Sequence, residues 1–186
     1  IGPRILSHGG DLERVHVLDI TKRGSLNLQD DLPMIEDYIR AHQIKLVIID
    51  PVSAYTPNTN RNDERIRDVL GPLAGVAERT GTAILNVAHT GKPGNVKRRA
   101  VERILGATAY VAIHRVIWML ASTEPDDEQC RDRVLSVVKN NLAPAADSLA
   151  LSMPSYDPES VGAIKWNGVS DVSVSAIYAG SGLLPE

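Results

Sequence analysis

Short apolar runs alternate with segments of helical periodicity through the first half of the chain. The segment 45–50 contains four successive apolar residues, 46–49, and the segment 82–88 is mostly apolar, which predicts strands buried on both faces of a parallel sheet. Apolar residues recur every three or four positions over 30–42 and 63–80, which predicts two amphipathic helices. Gly71 and Pro72 interrupt the second of these patterns, so we expect a kink or a restart there.

The remaining pattern is less regular. Residues 15–19 predict a short strand, and 101–115 predict a helix that leads into a strand over 116–120. After an acidic turn at 124–128, alternating stretches predict three antiparallel strands, at 133–139, 148–153 and 163–166. Strand–helix alternation followed by a run of strands predicts an α/β fold, with a mostly parallel core and a C-terminal antiparallel extension.

Composition narrows the class of protein. The 186 residues are 43% hydrophobic and 23% charged, as in an ordinary soluble domain. A net charge of −3 means that any nucleic-acid site has to be a local basic patch. The single Cys130 excludes an internal disulfide. No apolar run is long enough to span a bilayer. The single cysteine fits a reducing compartment, and we therefore expect a cytoplasmic protein.

Asp50 is the first candidate for a functional residue. It follows the apolar run 46–49 directly and precedes Pro51, which cannot continue the strand. The carboxyl ends of strands form the rim at which open α/β sheets bind ligands. A carboxylate at this position can hold the magnesium ion of a bound nucleotide. Asp-Pro also begins turns for purely backbone reasons, so a structural role is the alternative.

A phosphate-binding loop is missing from the sequence. No Gly-x-x-x-x-Gly-Lys-Ser/Thr occurs among the 186 residues. The segment 91–94 has similar glycines, but Pro93 lacks the N–H that a phosphate cradle needs. The chain also begins at Ile1 and not at Met. We therefore expect a fragment of a longer protein whose other part carries the loop.

Four motifs follow one another along the chain: Arg14–Asp19, Val47–Tyr55, Ala88–Lys92 and Val138–Pro144. Their combined order indicates a protein family more specifically than any single motif does. Together they resemble the RecA-like P-loop ATPases of the RepA/DnaB replicative-helicase type, the AAA-type ATPases of plasmid and phage replication modules. The resemblance implies a RecA-like three-layer core over residues 1–172. Residues 173–186 would then be a tail, or the start of a linker or following segment.

The resemblance also implies roles for individual residues. Asp50 would be the Walker B carboxylate that positions magnesium, with Ser53 in the same ATP site. His89 would sense the terminal phosphate, although a solvated loop histidine is the alternative. Lys139 would reach a neighbouring subunit's ATP, or it is simply a charged strand end. Asn141 stands where related proteins have a second basic residue, which weakens the expectation for Lys139.

Positive charge is concentrated in residues 91–103. Only Glu102 opposes five basic side chains: Lys92, Lys97, Arg98, Arg99 and Arg103. This segment is the best candidate for contact with a phosphodiester backbone, and it has no aromatic residue for base stacking. The resemblance makes it the pore-facing loop of a homo-oligomer, a hexameric ring around single-stranded DNA. A solvated surface loop is the alternative.

The resulting hypothesis is an ATPase that uses ATP and Mg²⁺ to drive single-stranded DNA binding or translocation in replication. One alternative is a DNA repair or recombinase-type ATPase that forms filaments. The other is a non-hydrolysing RecA-like scaffold that binds DNA or partners. Because the phosphate loop is missing, we expect residues 1–186 alone to be poorly stable and without hydrolytic activity.

Overall fold

The elements of the chain fall into two units in the computed structural model, which describes residues 1–18, 26–56, 63–89, 108–125, 127–153 and 163–179. The helices are α1 (Gly2–Ser7), α2 (Leu32–His42), α3 (Asp63–Thr80), α4 (Thr108–Ile113) and α5 (Val174–Ala179). The strands are β1 (Leu46–Ile49), β2 (Ala83–Asn86), β3 (Val116–Ser122), β4 (Asp132–Asn140), β5 (Ser148–Ser152) and β6 (Lys165–Ser170). Two short 3₁₀ turns, Leu12–Arg14 and Val52–Tyr55, complete the described elements.

The parallel-sheet unit contains the described residues of 26–56, 63–89 and 108–114. Strands β1 and β2 pair in parallel, with Leu46 opposite Ala83 and Ile49 opposite Asn86. Helices α2, α3 and α4 supply most of its core, and the strand residue Ile49 packs into the same cluster. The buried helix residues are Leu32, Ile39, Ile66, Val69, Leu70, Leu73, Val76, Ala109 and Tyr110.

Helix α3 runs without interruption from Asp63 to Thr80, although Pro72 lies inside it. The helix therefore does not restart at Gly71 and Pro72, and the alternative expectation of a kink there stays a prediction. Buried side chains on both sides of the proline, Leu70 and Leu73 among them, hold the two halves of the helix against one core. Burial of a Leu side chain is worth about 1.5–3 kcal/mol, so this packing offsets the hydrogen bond that proline cannot donate.

Strand β1 is covered on one face only. Ile49 is 7% exposed, whereas Leu46 and Ile48 are 52% and 58% exposed. Successive side chains of a strand point to opposite faces, so Leu46 and Ile48 share the face that the described residues leave open. The prediction that this strand is buried on both faces was wrong for the described part of the chain.

The antiparallel-sheet unit contains the described residues of 1–18, 115–125, 127–153 and 163–179. Its strands have the order β3-β4-β5-β6, and each neighbouring pair is antiparallel. Helix α5 packs on this sheet through Val174 and Ile177, which contact Met119 and Val134 in one buried cluster. The predicted antiparallel extension is confirmed.

Ser136 anchors α5 to the sheet. Its side chain is buried, and its Oγ accepts a hydrogen bond from the Val174 N–H at 2.9 Å. The same oxygen lies 2.7 Å from Ser148 Oγ. A buried hydroxyl is costly without partners, and these two contacts satisfy it. The sequence pattern had left residues 174–179 without an assigned element.

Two further expectations need correction, and a third is confirmed only in part. The strand predicted over 116–120 belongs to the antiparallel sheet, because Val116–Ser122 pairs with β4 through the acidic turn. Residues Val15–Leu18 form no strand, and Val17 is 66% exposed without a neighbouring strand to pair with. Asp19 lies outside the described residues. A full RecA-like three-layer core is not evident in the described ranges, where the parallel sheet has two strands.

Within the same ranges, no helix combines the length and the apolar character needed to cross a membrane.

Glu36 joins α2 to the end of α3, and its ion pairs predict an acid-sensitive step in stability. Arg79 donates to its two carboxylate oxygens at 3.0 and 2.6 Å, and Arg40 donates at 2.7 Å. These bonds, Arg79's first, lower the pKa of Glu36 from 4.5 to about 2. A lowered pKa in the folded state stabilises the protein above pH 4.5, and this contribution is lost as the pH falls towards 2.

The free energy of unfolding should therefore decrease less for Glu36→Gln than for the unmodified chain when the pH is lowered from 5 to 2. Urea unfolding at several pH values in that interval measures the difference. Asp37→Asn is the matched control, because it removes an adjacent exposed carboxylate outside this ion-pair cluster. Identical acid dependence of the unmodified chain and Glu36→Gln would contradict the prediction.

Candidate functional site

Two predicted site residues lie at one edge of the parallel sheet. Asp50 follows the last residue of β1, and His89 follows β2 by three positions. Because the strands are parallel and Ile49 is opposite Asn86, their carboxyl ends meet at the same edge. Both side chains are exposed. We call this edge, from Asp50 to Val52 and from Val87 to His89, the strand-end rim.

Backbone hydrogen bonds fix the turn that carries Asp50. The Val87 N–H donates to the Ile49 carbonyl at 2.9 Å, and the Val52 N–H donates to the Val87 carbonyl at 2.9 Å. Val87 therefore bonds to the chain on both sides of Asp50 and Pro51. Val52 is fully buried and begins the 3₁₀ turn on which Ser53 is exposed. The carboxylate is thus held at the rim by bonds that do not involve its own side chain.

The donor set at the rim suits the magnesium ion of a nucleotide. A magnesium ion bound with phosphates takes one or two protein carboxylates and keeps several waters, so Asp50 alone provides the required kind of ligand. The hydroxyl of Ser53 lies on the following turn, and a histidine such as His89 can donate to a phosphate oxygen. In the described ranges, no three His, Cys, Asp or Glu residues form a metal-binding group by themselves.

Lys139 lies in the other unit, near the end of β4. It is opposite Ile117 in the ladder and is half-buried. The strand ends one residue later, because Asn140 Oδ1 accepts hydrogen bonds from the N–H groups of Leu142 at 2.9 Å and Ala143 at 3.2 Å. Such a side-chain turn competes with continuation of the strand. Lys139 is therefore close to a strand end, as the sequence predicted, and its role in ATP hydrolysis stays a prediction.

The basic side chains predicted to contact DNA lie outside the described residues: Lys92, Lys97, Arg98, Arg99 and Arg103. Their proposed contact with a phosphodiester backbone stays a prediction.

A polar network next to the strand-end rim was not predicted from the sequence. The side-chain nitrogen of Asn86, at the end of β2, lies 2.9 Å from His114 Nε2. His114 Nδ1 lies 2.6 Å from the Tyr110 carbonyl oxygen. The available signal was a polar Asn within the apolar run 82–88. The partner of Asn86 is His114, 28 positions later, and it could not be predicted from that run.

Comparison with known proteins defines the class. The family described as the AAA domain matches residues 2–95, just over half of the chain, and this range contains Asp50, Ser53, His89 and Lys92. The chain therefore belongs to the AAA domain family, whose members are P-loop ATPases of the RecA-like group. The resemblance to P-loop ATPases is confirmed at that level. A search of curated proteins found no match.

Proposed function

We propose that this chain is the C-terminal part of a RecA-like ATPase of the replicative-helicase type, which couples ATP hydrolysis to single-stranded DNA binding or translocation. The observation that carries the proposal is the position of Asp50, an exposed carboxylate held by backbone bonds at the end of β1 in a member of a P-loop ATPase family. The same rim carries His89, which gives the site a group able to contact a terminal phosphate.

The proposal assigns a distinct task to each residue of the rim. Asp50 holds the magnesium ion, directly or through water, and Ser53 lies on the turn beside it. Bound magnesium neutralises charge on the β- and γ-phosphates. His89 donates a hydrogen bond to the terminal phosphate and loses this partner after hydrolysis. The reaction also requires a phosphate-binding loop, which residues 1–186 lack. We therefore define the parent protein as a polypeptide that contains both this chain and that loop.

Assembly into a homo-oligomeric ring, hexameric as in related helicases, is part of the proposal. Lys139 would then contribute its charge to the ATP of a neighbouring subunit, in the manner of an arginine finger. The position of Lys139 next to the strand end formed by Asn140 supports this role, because a lysine there has a short path out of the sheet.

The basic segment 91–103 would bind the DNA backbone. Replacing Lys97, Arg98 and Arg99 together by Ala in the parent protein should weaken single-stranded DNA binding equally for all sequences. Each lost phosphate contact lowers the log–log salt slope by about 0.7, so the slope should fall by up to about 2. ATP hydrolysis without DNA should change little, because these residues contact DNA and not nucleotide. Fluorescence anisotropy at several salt concentrations measures the slope.

The matched control replaces three exposed basic residues elsewhere, Lys45, Arg67 and Arg131, by Ala. It changes net charge equally and should leave the slope near that of the unmodified protein. Equal slopes for both triple variants would show that segment 91–103 is only a solvated loop. A full-length protein that has no phosphate-binding loop, binds DNA and hydrolyses no ATP would favour the scaffold alternative.

A further inference from the structure

The polar network at the end of β2 has only one consistent arrangement of hydrogens when His114 is neutral. The Tyr110 carbonyl can only accept a hydrogen bond, so the His114 Nδ1 at 2.6 Å from it carries the hydrogen. Nε2 then has a lone pair and accepts from the Asn86 amide N–H₂ at 2.9 Å. The Tyr110 carbonyl thus determines the orientation of a side chain on another element.

This orientation leaves the Asn86 side-chain oxygen without a partner. The oxygen is buried, and it has no hydrogen bond in the described part of the chain. A buried acceptor without a hydrogen bond destabilises the folded protein. Rotation of the amide would bring this oxygen to the lone pair of His114 Nε2, where neither atom has a hydrogen to donate. The bond between Asn86 and neutral His114 therefore exists in only one of the two amide orientations.

Asn86 is also next to the bonds that hold Asp50. Its neighbour Val87 donates to Ile49 and accepts from Val52, on either side of Asp50. A displacement of the Asp50 turn would consequently move Val87 and, with it, Asn86. On the other side of the network, His114 follows α4 directly, and Tyr110 lies within α4.

Helix α4 is well suited to respond to such a change. It has six residues, too few for an isolated helix to be stable in water. Its stability depends on packing, with Ala109 and Tyr110 buried beside α3, and on the bond between His114 and Asn86.

We propose that Asn86, His114 and the Tyr110 carbonyl form a latch that transmits nucleotide binding at the strand-end rim to α4. The inference rests on the proposed function, since it takes Asp50 as part of a magnesium–ATP site. Asn86 and His114 act as positioning residues, because neither is required to touch the nucleotide. Breaking the latch should leave ATP binding intact and should uncouple α4 from it.

Hydrogen exchange of the parent protein, followed by mass spectrometry, tests the latch. Binding of magnesium with a non-hydrolysable ATP analogue should change the exchange of the α4 amides about fivefold or more, the lower end of typical coupling between sites. Asn86→Leu removes the amide at similar volume, and His114→Phe keeps a ring without nitrogens. In both variants, α4 exchange should no longer differ between the free and the bound protein. The double variant should behave like either single one, since all remove one bond.

His42→Phe is the control, because it removes a histidine of the same unit whose ring contacts Tyr38 and which is not one of the residues of the latch. It should keep the full response. Folded latch variants that bind the analogue and respond like the unmodified protein would overturn the proposal.

The unmodified protein provides a test that requires no substitution, and it applies even if both variants lose the fold. Bound analogue that leaves α4 exchange unchanged overturns the latch and leaves the ATPase proposal standing. Failure to bind the analogue, measured directly by calorimetry, removes the proposed function itself and the latch that depends on it.

Discussion

Asp50→Asn should lower the magnesium-dependent ATP turnover of the parent protein by about a hundredfold or more, which corresponds to ~2.7 kcal/mol of transition-state stabilisation. The substitution keeps the size of the side chain and removes the charge that would hold the metal ion. The turn itself should survive, because the bonds that fix it run between the backbone groups of Ile49, Val52 and Val87. The expected variant is therefore folded and inactive.

Turnover at saturating magnesium and ATP, together with the melting temperature, measures the two effects separately. Asp68→Asn is the control, because Asp68 is an exposed carboxylate on α3 in the same unit. It should retain the turnover of the unmodified protein. An Asp50→Asn protein with near-normal turnover would leave Asp50 with only the structural role of beginning the Asp-Pro turn.

The elements that carry this site could be predicted because their signal is local. Strand β1 is a continuous apolar run and β2 is apolar except for Asn86, while Pro51 marks the end of β1, so the position of Asp50 followed from the sequence directly. The helix boundaries at His42 and Thr80 were predicted equally well, since helical periodicity stops there. Such signals need no knowledge of what packs against the element.

What could not be predicted depends on distant residues. The apolar run 46–49 shows that both faces of β1 are apolar, but it does not show what covers them, and Ile48 is in fact exposed. Residues 15–18 are strand-like in composition, yet no neighbouring strand pairs with them in the described chain. The bond between Asn86 and His114 joins positions 28 residues apart, through the packing of α4.

Lys139→Ala should abolish turnover of the parent protein while each subunit still binds ATP with near-normal affinity. A charge donated from a neighbouring subunit acts mainly on charge that develops during phosphoryl transfer, so catalysis depends on it and ground-state binding does not. The half-buried Lys139 is in the last ladder positions of β4, opposite Ile117. Lys165→Ala is the matched control, because it removes an exposed lysine from the first position of β6.

Mixing the two inactive variants tests whether Lys139 acts between subunits. In a ring that contains both Lys139→Ala and Asp50→Asn subunits, some interfaces combine an intact Asp50 with an intact Lys139. Activity that returns on mixing would therefore show that each active site is shared between neighbours. If the variants assemble together and activity does not return, either Lys139 acts within its own subunit or turnover needs every interface of the ring.

Unmodified rings doped with a small fraction of Lys139→Ala subunits separate these outcomes. A loss of activity in proportion to the fraction supports action within one subunit, whereas a much steeper loss means that one defective interface stops the whole ring.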